Sequence, residues 1–151
     1  MQNLLPKWIF IVLTVLSLIG FFDSAYLTAE HYTGNIPPCF IATGCETVTT
    51  SAYSVVAGIP VALAGSIYYF VLFFLTIGLL SGAKNNLKWI SILSGFGFLA
   101  SVYFVSLQLF VIKAICTYCM ISAITTTTIF LLSLYGNRLN KKENVYKAEF
   151  E

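Results

Sequence analysis

Charge is what this chain has least of. Only 9% of its 151 residues are Asp, Glu, Lys or Arg, and it carries a single histidine and 4 cysteines. A polypeptide so poor in charge, 58% hydrophobic and with a mean hydropathy of +0.87, cannot clothe itself as a soluble domain. The net charge of +2 is too small and too dispersed to suggest nucleic acid. Residues 31–57 contain no Lys or Arg at all, and no internal repeat is visible.

What is present is apolar length. Four stretches, about 8–30, 58–80, 87–110 and 115–135, each approach the roughly 20 residues that a helix needs to cross the hydrocarbon core. In lipid the backbone must satisfy its own hydrogen bonds, so these read as helices. The expected fold is an all-α membrane protein. A four-helix transmembrane bundle fills residues 1–136, loop 31–57 caps the active site, and a basic, frayed tail occupies 137–151. The first stretch is not a cleaved signal, because Phe21, Phe22, Asp23 and Tyr26 stand where small residues would be needed.

Basic residues orient the bundle. All of the 8 except Lys113 lie before the first helix, between the second and third, or after the fourth. By the positive-inside rule both termini are cytoplasmic. The cysteines then lie on or near the extracytoplasmic face of the plasma or inner membrane, where disulfides persist. Trp8 and Trp89 fit anchors at the cytoplasmic interface.

Loop 31–57 is too long for a simple helix connection. Phe40, Ile41, Val48, Tyr53, Val55 and Val56 can fold it back on the bundle mouth, with a short helix after Cys45. Gly58-Ile59-Pro60 then reads as the start of the second membrane helix. Small residues spaced by four (Gly58, Ala62 and Ser66; Ser91 and Gly95; Gly97 and Ser101) mark close helix contacts, read as packing within a monomer. The hydroxyls of Thr125 to Thr128 can bond back to their own helix.

The cysteines fall into two pairs, Cys39 with Cys45 and Cys116 with Cys119. Cys116-Thr117-Tyr118-Cys119 lies at the outer start of the fourth helix, where unpaired N–H groups and the helix dipole favour a thiolate. One of the two thiols is therefore expected to have a lowered pKa, with Lys113 assisting. Cys39 and Cys45 would close so small a ring that a purely structural role gives little stability. A redox relay, a structural bridge from loop to helix, and a four-cysteine zinc site are the three readings. The zinc reading is the weakest, because its donors come from unlike elements at unsuitable spacing.

At these residues the chain resembles the vitamin K epoxide reductase family in its small prokaryotic form. The resemblance rests on Gly20, Ser24-Ala25-Tyr26-Leu27-Thr28, His31-Tyr32, Cys39, Cys45, Val48, Ser51, Gly58-Ile59-Pro60, Gly65 and Cys116-Thr117-Tyr118-Cys119. It implies a thiol-disulfide oxidoreductase that oxidises a thioredoxin-like or DsbA-like partner and reduces a membrane quinone (ubiquinone, menaquinone or a relative), without a metal. By position, Cys39 exchanges with the partner, Cys45 relays to Cys116, and Cys119 faces the quinone. Ser51 matches a Ser/Thr position near that site, though it can equally serve as a helix cap.

Ala123 stands where vertebrate members have tyrosine, and the second helix lacks their asparagine, which implies ordinary quinone reduction rather than epoxide reduction. The chain ends at Glu151 on the cytoplasmic side, so the partner is expected to be a separate protein. Rival readings are the other four-helix type of disulfide oxidase, vitamin K epoxide reduction proper, and a scaffold with static disulfides. His31 reads as an interfacial hydrogen-bonder. Asp23, an acid near the outer end of a membrane helix, is costly unless solvated or paired.

Overall fold

The computed structural model describes residues 6–39, 44–83 and 85–149, excepting the side chains of 143–144 and 146–149. Among the described residues, four helices are long and apolar enough to cross a membrane, and the protein is an all-α membrane protein. Helix α1 runs Lys7–Thr33. It starts after Pro6 and ends at Gly34, whose left-handed φ of 72° returns its N–H to the Glu30 carbonyl. Helix α2 is the short Cys45–Thr49. Helices α3 (Val61–Leu80) and α4 (Asn86–Ser106) follow. A π-helical turn, Leu107–Ile112, extends α4. Helix α5 begins at Thr117 and runs unbroken to Glu149, through the stretch read from sequence as a frayed tail.

Gly58-Ile59-Pro60 does not begin the second membrane helix. Val55–Val56 (β1) and Ile59–Pro60 (β2) pair antiparallel instead. Ala57 and Gly58 turn between them with positive φ, 52° and 81°, a two-residue hairpin geometry. Gly58 thus lies in an exposed turn and takes no part in the small-residue helix contact expected of it. Of the cap residues expected to fold back, Val48 is buried and Val55 half-buried, whereas Tyr53 and Val56 are exposed. Phe40 and Ile41 lie outside the described residues.

Around the bundle, α1 packs on α3 and α5, and α4 packs on α3 and α5. Ile9, Leu13, Tyr69, Leu72, Leu79, Leu87, Ile90 and Ile129 form its buried core. Apolar side chains on the outer faces remain exposed, as a lipid-facing surface requires.

Small residues and hydroxyls set the helix spacing. Gly20 leaves the α1 surface open for the ring of Tyr69. The Tyr69 hydroxyl can then cross to α5, donating to the Ser122 carbonyl at 2.8 Å and pairing with the Thr126 hydroxyl at 2.6 Å. Ser24 and Ser66 meet at 3.3 Å between α1 and α3. Ser94 and Ser133 meet at 3.4 Å between α4 and α5. Thr127 and Thr128 bond back to Ala123 and Ile124 within α5, whereas Thr126 serves the tertiary contact.

Candidate functional site

The chain after α4 makes the site. The π turn widens the helix end, and Lys113 then reverses the chain in the left-handed region, φ 55°. Its own N–H and that of Ala114 both reach the Gln108 carbonyl. The Gln108 side chain, 2% exposed, accepts the N–H of Cys116 at 2.9 Å. One amide side chain thus fixes the residue that opens α5.

Cys116 is fully buried. Its carbonyl accepts the Met120 N–H, making it the residue that caps α5. The Cys116 thiol is lowered to about 7, first by the hydrogen bond from the Cys119 thiol, with burial opposing and the Cys119 and Tyr118 N–H groups assisting. The helix-start argument therefore identifies a real contributor, but the neighbouring thiol is the larger one. Lys113, exposed, supplies a backbone turn.

Cys39 and Cys45 form a disulfide with their Cα atoms 5.7 Å apart, while Cys116 and Cys119 are free thiols. The Cys45 N–H points to the Cys39 sulfur at 3.2 Å. Cys45 and Cys116 share one buried cluster with Val48, and Cys39 and Cys119 pack against it. All four sulfurs predicted from sequence are thus gathered at one place.

Two contacts hold the loop there. The Tyr118 hydroxyl donates to the Pro38 carbonyl at 3.1 Å, just before Cys39. Gly44, just before Cys45, lies against the backbone of Ile115, where a Cβ would come within 2.7 Å of the Ile115 nitrogen. Tyr26 of α1 packs against Tyr118, ring centroids 5.5 Å apart.

A cavity of about 760 Å³ opens beside the sulfurs, and Cys119 lines it. Its walls include Gly65 and Tyr68 of α3, Gly97 and Phe104 of α4, and Gln108. Ser51 and His31 reach the same space from the cap and α1. The Ser51 hydroxyl donates to the Val48 carbonyl at 2.7 Å and makes no side-chain cap to the turn it precedes. Among the described residues, no cluster of three or more His, Cys, Asp or Glu side chains could hold a metal ion.

The profile of the Vitamin K epoxide reductase family matches residues 11–134, from the second turn of α1 to near the end of the apolar part of α5. The chain belongs to the vitamin K epoxide reductase family. It is also similar to the thiol-disulfide oxidoreductase LTO1 of Arabidopsis thaliana, 29% identical over an alignment of 132 residues that covers 82% of this chain. The chain spans only 35% of the length of that relative. Within a family member, Gln108 and Tyr118 are the site residues that sequence reasoning missed. A lone amide in an apolar run and the tyrosine inside C-x-x-C were the available signals, and neither names its partner.

Proposed function

We propose that this family member is a thiol-disulfide oxidoreductase that passes two electrons from a thioredoxin-like protein dithiol to a membrane quinone. The observation that carries the reading is the shared cluster of Cys45 and Cys116, with Cys119 on the cavity wall. A partner thiolate attacks the sulfur of Cys39, the more exposed residue of the outer disulfide, and Cys45 leaves. A second partner thiolate then resolves the mixed bond, and the partner departs as its disulfide. When the inner pair is oxidised, the Cys45 thiolate attacks Cys116. The Cys45–Cys116 bond forms, the Cys116–Cys119 bond breaks, and Cys119 leaves as a thiolate toward the cavity. Cys39 then displaces Cys116 from Cys45, restoring the outer disulfide and leaving the electrons on the inner pair.

The residues present fit a quinone. The cavity is mostly apolar, as such sites are. The Tyr68 hydroxyl on its wall is buried without a hydrogen-bond partner, a donor that a ring carbonyl would satisfy. Ala123 brings no polar group to the wall. A quinone bound there accepts two electrons and two protons. The part of this chain is to aim Cys119, exclude water and offer the Tyr68 hydroxyl. The loop and both cysteine pairs face the extracytoplasmic side, with both termini cytoplasmic, in keeping with the distribution of basic residues.

Reconstitution with reduced thioredoxin-like protein and a quinone tests this. Cys119→Ala should abolish quinone reduction while still allowing a mixed disulfide at Cys39. Normal turnover by that variant would sink the relay.

A further inference from the structure

The relay leaves one end of the Gln108 side chain unused. A carboxamide has an accepting corner and a donating corner, and its neighbour decides which lies where. The Cys116 N–H can only donate, so the atom it meets at 2.9 Å is the amide oxygen, and the NH2 is the opposite corner. The backbone carbonyl of Gln108 is committed as well, to the N–H groups of Lys113 and Ala114. The side chain is 2% exposed, yet it forms part of the cavity wall. Among the described residues its NH2 donates to no oxygen or nitrogen. The Cys119 sulfur, a weak acceptor, can take at most one of its two hydrogens. A buried donor left over on the wall of an apolar cavity calls for an acceptor that a ligand brings.

The two ends of the cavity can be told apart. The Tyr68 hydroxyl lies against Gly97 of α4, where a Cβ would also come within 2.9 Å of the Thr126 methyl on α5. Tyr68, Gly97 and Thr126 therefore share one level of the bundle. Cys119 lies two helical turns before Thr126, or about 10 Å nearer the start of α5. That start is where Gln108 meets Cys116. Gln108 and Cys119 mark one end of the cavity, and Tyr68 marks the other.

Resting on the quinone reading above, we propose that the Gln108 NH2 is the hydrogen-bond donor for the quinone carbonyl at the Cys119 end of the cavity. Gln108 is then a specificity-determining residue of the electron-accepting site. One carboxamide joins both reactants: its oxygen holds Cys116 of the inner pair, and its NH2 holds the acceptor beside Cys119. An N–H aimed at that oxygen offsets the cost of the charge that arriving electrons place there in an apolar site. Gln108 itself gains and loses neither electron nor proton; it donates a hydrogen bond and nothing more. A ligand without a ring carbonyl leaves this buried donor unpaired and is rejected for that reason.

The test uses Cys119→Ala protein in lipid nanodiscs, so that an acceptor binds without being reduced. The probes are a short-chain ubiquinone and a short-chain menaquinone, each carrying carbon-13 at one ring carbonyl or the other. Infrared spectra should show a carbonyl lowered in frequency by the Gln108 bond. Gln108→Met should raise that carbonyl alone, and Tyr68→Phe should leave it in place. Gln108→Met should also weaken binding about threefold to tenfold, the loss of one hydrogen bond. Drift of Cys116 would not move one ligand carbonyl selectively, so the band separates the donor role from the structural one. Gln2 and Gln108 are the two glutamines of the chain. Nitrogen-15 labelling of glutamine therefore gives two side-chain amide signals, which Gln2→Ala assigns. The Gln108 signal should shift as the bound quinone is titrated in, a readout that needs no stable Gln108 variant. The proposal is overturned if a bound quinone leaves that signal in place, or if Gln108→Met leaves both carbonyl bands unchanged. If neither quinone binds at all, the quinone reading fails and this proposal with it.

Discussion

Gln108 is one amide in a run of apolar side chains, and it ties the end of α4 to the start of α5. Replacing it with Leu leaves the buried Cys116 N–H without its acceptor, a loss of about 1–3 kcal/mol. Thermal unfolding in detergent should show that loss, and electron transfer from Cys45 should slow as Cys116 drifts. Unchanged stability would mean the amide is not what fixes Cys116. The Cys116 thiol, lowered to about 7 by the Cys119 thiol, gives a pH prediction. Below that pH the sulfur is a thiol and inert; above it the thiolate attacks. In a variant lacking Cys39 and Cys45, closure of the inner pair by a small disulfide should therefore quicken through about pH 7 and level off beyond. A rate still rising steeply toward the ordinary thiol range would refute it. The cysteines themselves were legible in the sequence because sulfur is scarce and paired. Gln108 was not, because its acceptor role exists only once the π turn brings it over the start of α5.

The short segments around the outer disulfide act as one clasp. Gly44 brings α2 against Ile115, and Tyr118 holds Pro38, so both flanks of the Cys39–Cys45 ring are fastened to the C-x-x-C segment. Gly44→Ala forces a Cβ onto the Ile115 backbone, which cannot move aside as a flexible side chain could. Overpacking of this kind costs roughly 1–3 kcal/mol. It should be read as weaker trapping of the Cys45–Cys116 mixed disulfide, with formation of the Cys39–Cys45 bond unaffected. Equal trapping in wild type and variant would remove the clasp. The short helix after Cys45 could be read from the sequence. The hairpin at Val55–Pro60 could not, because Gly-Ile-Pro is compatible with a helix start. Only the positive φ at Ala57 and Gly58 reveals the turn.

At the scale of the molecule, the bundle stands on contacts that cross it, and Tyr69 makes one from α3 to α5. Tyr69→Phe strands the hydroxyl of Thr126 and loses the bonds to Ser122. It should lower the unfolding temperature by the equivalent of about 1–3 kcal/mol while leaving the outer disulfide intact. A variant as stable as wild type would show that the ring alone, lying on Gly20, holds α3 against α1 and α5. By itself the sequence determined the four membrane helices, because apolar length and the burden of unpaired backbone groups in lipid leave no other fold. It also grouped the sulfurs into two pairs by spacing, without deciding which are joined at rest, and pointed to the family to which their setting belongs. The resemblance implied that Cys45 relays to Cys116 and that Cys119 faces the quinone; only the tertiary structure put Cys45 and Cys116 in one buried cluster and Cys119 on the cavity wall. These depend on the rotation of one helix against another and on a clasp between segments far apart in the chain. Packing sets such relations; residue spacing along a single helix cannot.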